Sequence, residues 1–239
     1  MYKRIILKLS GETLAPERFS ESDASHCFDA ARVDRAADAI VRLAQMGIQV
    51  GVVMGGGNIW RGRFTDAMDP VLADQMGMLA TIINALAVQD AILRLGRGAK
   101  VFTAQEMTRF AELYRADRAI AAMERGDIVL LAGGSGNPFF TTDTAAALRA
   151  CELHADAVFK GTTVDGVYDA DPHADPGARL IRDITYREAI ARGLRVMDTS
   201  AFQMCLEQHL PCIRVFNMDD LENILRVARG EAVGTVVHE

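Results

Sequence analysis

Ile128-Val129-Leu130-Leu131-Ala132-Gly133-Gly134-Ser135-Gly136-Asn137-Pro138-Phe139-Phe140-Thr141-Thr142-Asp143-Thr144-Ala145-Ala146-Ala147-Leu148-Arg149 decides how this chain folds. The first five residues are an uninterrupted apolar run, the pattern of a strand buried on both faces. The last six read as the start of a helix. Between them lies a polar loop whose glycines let backbone approach a ligand without a Cβ in the way. Hydroxyls, an amide and the free N–H groups of a helix N-terminus converge there, where an anion would sit. Two adjacent phenylalanines in so polar a loop are hard to explain as core; they could shape a base or sugar pocket.

The same arrangement occurs twice more. Val50-Gly51-Val52-Val53-Met54 runs into Gly55-Gly56-Gly57-Asn58-Ile59-Trp60-Arg61-Gly62, and Ile5-Ile6-Leu7-Lys8-Leu9 runs into Ser10-Gly11-Glu12. Any one of these could be only a strand-to-helix turn. Three together predict one crevice at the carboxyl edge of a parallel sheet, where open α/β sheets bind ligands. Lys8 and Arg61 supply positive charge to it. Neither the G-x-x-x-x-G-K-[ST] phosphate loop nor a G-x-G-x-x-G after a strand is present.

Strands are predicted near 4–9, 49–54, 100–103, 127–132, 156–160 and 212–216, and helices near 32–46, 70–95, 115–124, 142–153, 185–192, 198–208 and 219–228. This alternation predicts a three-layer αβα sandwich, a mainly parallel central sheet with helices on both faces. Residues 13–31 and 161–182 read as long loops, the first of them mobile. The helix from Pro70 is apolar on more than one face, through Met76, Met78, Leu79, Ile82, Ile83, Leu86 and Ile92, so a subunit interface is expected to cover it.

Composition narrows the function classes. A chain of 239 residues, half of them apolar, suits one large α/β domain or two lobes sharing a sheet. A net charge of −6 without a basic stripe argues against a nucleic-acid or membrane-surface binder. Cys27, Cys151, Cys205 and Cys212 have no C-x-x-C spacing, and five scattered histidines make no metal-ligand cluster. Free thiols in a reducing cytoplasm are expected. With a strand read almost at the start, no signal peptide is expected, and no apolar run approaches the roughly 18 residues that span a bilayer.

Several motifs together resemble the bacterial UMP kinases (uridylate kinases) of the amino acid kinase superfamily. They are Lys8-Leu9-Ser10-Gly11-Glu12, Gly55-Gly56-Gly57-Asn58 with Arg61-Gly62, and Asp74-x-Met76-Gly77-Met78-Leu79-Ala80-Thr81. Further along come Gly136 to Asp143, Val164-Asp165-Gly166-Val167-Tyr168 with Asp171-Pro172, and Val196-Met197-Asp198. The match runs in order along nearly the whole chain, and the G-N-P-F-F-T-T-D run separates these enzymes from aspartokinases, carbamate kinases and acetylglutamate kinases.

The resemblance implies the amino acid kinase fold, with an acceptor lobe over roughly 1–150 and an ATP lobe over roughly 151–239. It implies transfer of a phosphoryl group from Mg²⁺-bound ATP to UMP in pyrimidine nucleotide synthesis, by a homohexamer. UMP would lie over Gly56, Arg61, Asp74 and the segment Ser135, Gly136, Asn137, Pro138, Phe139, Phe140, Thr141 and Thr142. ATP would lie over Lys8, Leu9, Ser10, Gly11, Gly57, Arg61, Thr162, Tyr168 and Asp171. Lys8 and Asp143 are the expected catalytic pair, with Lys160 and Asp198 beside them. Mg²⁺ would be carried mainly by phosphates and water rather than by a protein cage.

Each role has a plainer alternative. Asp143 could be only a helix N-cap, Asp74 an exposed helix carboxylate, Tyr168 a loop residue packed on the core, and Asp198 a cap for its own helix. Lys8 as a solvated strand-end lysine is harder to accept, since its neighbours Ile5, Ile6, Leu7 and Leu9 would bury an unpaired charge. GTP as activator and UTP as inhibitor are known among relatives. The stretch Val88 to Leu95 lacks some of the basic residues expected for them, leaving Arg94, Arg97, Lys100, Arg115 and Arg118 as possible phosphate partners. A carboxylate or carbamate kinase of the same superfamily, and a non-catalytic nucleotide sensor or storage protein, are the competing readings.

Overall fold

The computed structural model describes residues 2–16, 27–62, 68–194 and 196–239. Strand β1 (Arg4–Leu9) is followed by a 3-10 turn at Gly11–Leu14, then α1 (Ala30–Gln45), β2 (Gln49–Met54) and α2 (Pro70–Arg94). Next come β3 (Ala99–Thr103), β4 (Glu112–Leu113), α3 (Ala116–Glu124), β5 (Ile128–Ala132), α4 (Thr142–Glu152) and β6 (Ala157–Thr162). The chain continues through β7 (Val167–Tyr168), β8 (Leu180–Ile181), β9 (Asp183–Thr185), α5 (Tyr186–Ala191) and α6 (Thr199–Glu207). It ends with β10 (Cys212–Asn217), α7 (Glu222–Ala228) and β11 (Thr235–His238).

Among the described residues, nine strands form one sheet in the order β4-β3-β5-β2-β1-β6-β10-β11-β9. Every pairing in it is parallel except β10 with β11. The central strands are buried on both faces, which is why they read as continuous apolar runs. Within β1 the faces alternate. Ile5, Leu7 and Leu9 join the core that also holds the buried sides of α1, α2 and α7. Ile6 joins the opposite core, with α3, α4, α5 and α6. The result is the three-layer sandwich expected from the alternation of elements.

The six predicted strands and seven predicted helices all exist, with ends matched to within three residues. The unpredicted strands, β4, β7, β8, β9 and β11, have two to four residues each, too short for periodicity to register. Segment 161–182, expected as an irregular loop, carries a small antiparallel β7–β8 pair. In the predicted loop 13–31, Leu14 and Ala15 are buried, and α1 begins at Ala30 with Asp29 capping Arg32 N. The remaining positions, 17–26, lie outside the described residues.

Helix α2 starts where Asp69 accepts from Val71 N and Leu72 N, with Pro70 in the first helical position. By length and composition it could cross a membrane, contrary to the expectation from sequence that no run would. Its buried residues, such as Ile82, Ala85, Val88 and Ile92, instead pack into the core with α1 and the sheet. Leu72, Met76, Leu79 and Ile83 are exposed and follow helical spacing along one side. The middle of α2 is tied to the β2–α2 loop by a buried amide pair. Asn84 Nδ2 donates to Asn58 Oδ1 and to Gly55 O, and Asn58 Nδ2 donates back to Asn84 Oδ1.

Candidate active site

Register builds the charged centre. Lys8 of β1 and Lys160 of β6 are direct neighbours across a parallel pairing. Ile6 and Val158, two residues earlier on each strand, face the α4 side, so the period-two alternation carries both lysines to that same side. The first turn of α4 delivers Asp143 to them. Lys8 Nζ lies 3.0 Å from Asp143 Oδ1, and Lys160 Nζ donates to Asp143 Oδ2 and to Val196 O. All three side chains are largely buried, with 14 %, 9 % and 16 % exposure for Lys8, Lys160 and Asp143.

Burial pushes the Asp143 carboxyl upward most strongly, but the charges of Lys8 and Lys160 overcome it and leave the pKa below the usual carboxylate range. Lys160 moves down, because burial outweighs the attraction of Asp143. The Lys8 contact to Asp143 Oδ1 is an ion pair rather than a directed hydrogen bond, and Oδ1 is buried with no hydrogen-bond partner. Asp143 is not the helix cap. Thr141 holds that position, its hydroxyl accepting from Asp143 N and Thr144 N, while Asp143 sits one residue into the helix, near the positive end of its dipole.

Asp198 occupies the N-cap position of α6 but makes no side-chain cap bond there. It accepts instead from the hydroxyls of Thr141 and Thr144, on either side of Asp143. The carboxylate thus fastens α6 to the start of α4, and with it the loop that leads into Asp143.

Beside this centre lies a cavity of about 440 Å³. Gly56 and Arg61 enter it from the β2–α2 loop, and Asp74 from α2. Ser135, Asn137, Phe140 and Thr141 enter it from the β5–α4 loop, and Thr142 from the first position of α4. Gly133 and Gly134 begin that loop with φ of 78° and 61°, left-handed backbone that glycine adopts without strain. The loop is fixed from behind where Thr81 Oγ1 accepts from Gly133 N at 2.9 Å. Asp74 accepts from Phe139 N at 2.7 Å, which closes the loop against α2.

Not every predicted acceptor residue lines the cavity. Gly136 turns its carbonyl to Gln105 Nε2 at 2.9 Å, and Pro138 lies off the wall. Phe139 is 73 % exposed on a left-handed backbone with φ of 69°, and of the pair Phe140 forms wall. The residues expected to hold ATP are spread further. Gly57 and Arg61 line the 440 Å³ cavity, Tyr168 and Asp171 a separate cavity of 520 Å³, and Ser10 and Thr162 a small one of 100 Å³. Lys8 and Gly11 lie near these spaces without forming wall, and the Leu9 side chain is in the core, leaving only its backbone for a ligand.

Sequence reasoning gave no site role to Glu12, Trp60, Gly77 or Met78, all of which line the 440 Å³ cavity. Glu12 had a signal, standing in the Lys8–Glu12 motif, yet a carboxylate is not an obvious member of an anion site. Its Oε1 holds Arg61 Nη2 at 2.7 Å, while Arg61 Nε donates to Gly57 O at 3.0 Å. Burial pushes the Glu12 carboxyl up, but the Ser10 hydroxyl, its own backbone and the charges of Arg61 and Lys8 bring it below the usual range, so it stays ionised.

Comparison with known proteins agrees with the fold and the order of the motifs. The model of the amino acid kinase family matches residues 3–217. The uridylate kinase of Parabacteroides distasonis is 49 % identical over 239 residues, covering 99 % of this chain and 98 % of its own. That of Bacteroides thetaiotaomicron is 48 % identical over the same share of each chain. The crystal structure of UMP kinase from Bacillus anthracis superposes with a TM-score of 0.93 at 34 % identity, covering 99 % of this chain and 96 % of that one. The UMP kinase of Ureaplasma parvum gives 0.91 at 34 % identity over the full length of both. With its fold, its full-length coverage and its motifs in order, the chain belongs to the amino acid kinase family and, within it, to the uridylate kinases.

Proposed function

We propose that this enzyme transfers the γ-phosphoryl group of Mg²⁺-bound ATP to UMP, giving UDP and ADP. The observation that carries the reading is the Lys8–Asp143–Lys160 centre beside a cavity whose wall includes Thr141 and Thr142, the residues directly before Asp143. Phosphoryl transfer asks for positioning and charge neutralisation more than covalent chemistry. A UMP phosphate oxygen attacks the γ-phosphorus and the bond to ADP breaks. The phosphate of UMP is largely dianionic at neutral pH, so no general base is needed.

Lys8 and Lys160 would face the charge that spreads over the equatorial oxygens, with Asp143 holding both in place. Arg61, fixed along one edge by Gly57 and Glu12, keeps Nη1 for a phosphate oxygen. Asp74 would accept from the ribose hydroxyls in exchange for Phe139 N–H. The donor nucleotide would extend toward Tyr168 and Asp171, whose cavity can take an aromatic base. This divides the chain into the acceptor lobe of 1–150 and the donor lobe of 151–239.

No group of three or more His, Cys, Asp or Glu suited to a metal occurs among the described residues. A Mg²⁺ would be held chiefly by ATP phosphates and water, and Asp143 Oδ1, buried and paired only with the Lys8 ammonium, would be the protein oxygen nearest to hand. The ion would supply neutralisation of the phosphate oxygens.

The exposed stripe of Leu72, Met76, Leu79 and Ile83 supports homo-oligomerisation, a hexamer by family resemblance, in the cytoplasm. GTP and UTP remain proposed effectors. Of the five basic residues considered for them, Arg94, Lys100 and Arg115 are already paired with acidic neighbours. Arg97 and Arg118 are therefore the first to test by effector titration.

The test is ADP release from Mg²⁺-bound ATP with UMP, set against CMP, dUMP, aspartate and carbamate. Turnover with UMP above all others is expected. Failure of UMP both to turn over and to bind in calorimetry would overturn the assignment.

A further inference from the structure

Trp60 is the only tryptophan in the chain, and it lines the cavity read above as the UMP site. It is half-buried, and its position is fixed from two sides. Its backbone N–H donates to Gly56 O at 2.9 Å, closing the turn that presents Arg61. Its indole Nε1 donates to Ala73 O at 2.9 Å, in the first turn of α2. The surrounding residues are small. A Cβ on Gly62 would come within 3.3 Å of Nε1, and a Cβ on Gly77 would come to 3.9 Å from the ring. The indole therefore fills the angle between the glycine loop and α2 and carries its N–H to the Ala73 carbonyl.

Two loops thus converge on consecutive residues of α2. Trp60 reaches Ala73 from the β2–α2 loop, and Phe139 N–H reaches the Asp74 carboxylate from the β5–α4 loop. The second contact uses the very oxygen that a ribose hydroxyl would take, so the acceptor would replace it. The first uses a main-chain carbonyl that the ligand does not need, so it would persist through binding. It sets the distance between Arg61, next to Trp60, and Asp74, next to Ala73.

We infer that Trp60 is a positioning residue for the acceptor. Its indole hydrogen bond to Ala73 O fixes the spacing of the phosphate-binding Arg61 and the ribose-binding Asp74, and its ring walls the cavity. The inference rests on the assignment of this cavity to UMP. It also makes the single indole a direct reporter of acceptor binding.

The test pairs kinetics with emission. Trp60→Phe keeps an aromatic ring and removes the N–H; Trp60→Ala removes both. Loss of one neutral hydrogen bond should raise the KM for UMP about 3- to 10-fold in Trp60→Phe. A larger rise is expected in Trp60→Ala, the loss appearing in KM for UMP more than in kcat, with the KM for ATP unchanged. In the unaltered enzyme, UMP should shift the tryptophan emission saturably, and a non-hydrolysable ATP analogue alone should not. UMP turnover with a UMP KM in Trp60→Phe within twofold of the parent would overturn the positioning role, even if Trp60→Ala failed to fold. Emission indifferent to saturating UMP would overturn the placement of the indole in the cavity. Absence of both UMP turnover and calorimetric UMP binding in the parent enzyme would instead remove the cavity assignment, and this inference with it.

Discussion

Replacing Asp143 by Asn isolates the charge at the centre of the site, because the two side chains have nearly the same shape. At 3.0 Å and an effective dielectric of about 20, one ion pair contributes about 5 kcal/mol before desolvation is subtracted. The net cost of removing one partner from a buried pair is smaller, about 3–5 kcal/mol. The neutral amide would leave Lys8 and Lys160 side by side on adjacent strands, Lys160 being the more buried. For a chain of this length, that loss corresponds to a fall in Tm of about 6–20 °C. Turnover should fall at least about 100-fold, the scale of one lost electrostatic contact at a reacting phosphoryl group.

The two effects are separable. Adding Lys160→Met to Asp143→Asn removes the more buried of the two ammoniums left without their carboxylate and should recover part of the Tm without restoring turnover, a coupling that thermal melts measure directly. The pH dependence has a definite sign. Asp143 has a lower pKa folded than unfolded, so its contribution is complete above the ordinary aspartate pKa of about 3.9 and is lost as pH falls through the folded value. Parent and Asp143→Asn variant should converge in Tm in acid and diverge toward neutrality. A variant melting within about 2 °C of the parent at pH 7, or turning over near the parent rate, would refute the reasoning.

Lys8→Ala should also lower kcat by at least about 100-fold, and near-normal turnover would remove Lys8 from the centre. Asp74→Asn should raise the KM for UMP more than it lowers kcat; an unchanged UMP KM would take Asp74 out of the acceptor site. Asn84→Ala takes the Asn84 donor from Gly55 O and Asn58 Oδ1 in a buried place, and denaturant melts should show a loss of about 2–4 kcal/mol. Imidazole Nε2 of His238 faces Asp183, and that hydrogen bond raises its pKa. The pair should add a little stability below the ordinary histidine pKa, lost as pH rises through the raised value, a dependence that His238→Gln should flatten in melts followed across neutral pH.

Much of this was legible because central parallel strands have no polar face to disguise them. Runs such as Ile128 to Ala132 announce themselves, and Gly133, Gly134 and Gly136 stand where the backbone turns left-handed. What stayed hidden depends on partners far away in sequence. Nothing local says that Asp198 serves Thr141 and Thr144 rather than its own helix, or that Thr141 and not Asp143 caps α4. Trp60 reads as an ordinary loop aromatic until Ala73 is seen beside it. Glu12 was visible in its motif but chemically counterintuitive, since its purpose is to hold an arginine and not an anion. Strands of two residues, such as β4 and β7, owe their existence to a neighbour's edge rather than to their own composition.

The alternation of β1 gives the enzyme a narrow tolerance for slippage. Ile5, Leu7 and Leu9 serve one core, while Ile6 and Lys8 face the other side. A shift of this strand by one position against β2 and β6 would exchange the two sets. An apolar side chain would then stand where the ammonium belongs, and the charge would be driven into the α1–α2 layer. Deleting or inserting a single residue within the strand should therefore be far more damaging than most substitutions there. Bringing Lys8 to Asp143 and filling both cores correctly are therefore one and the same requirement on the register of this strand.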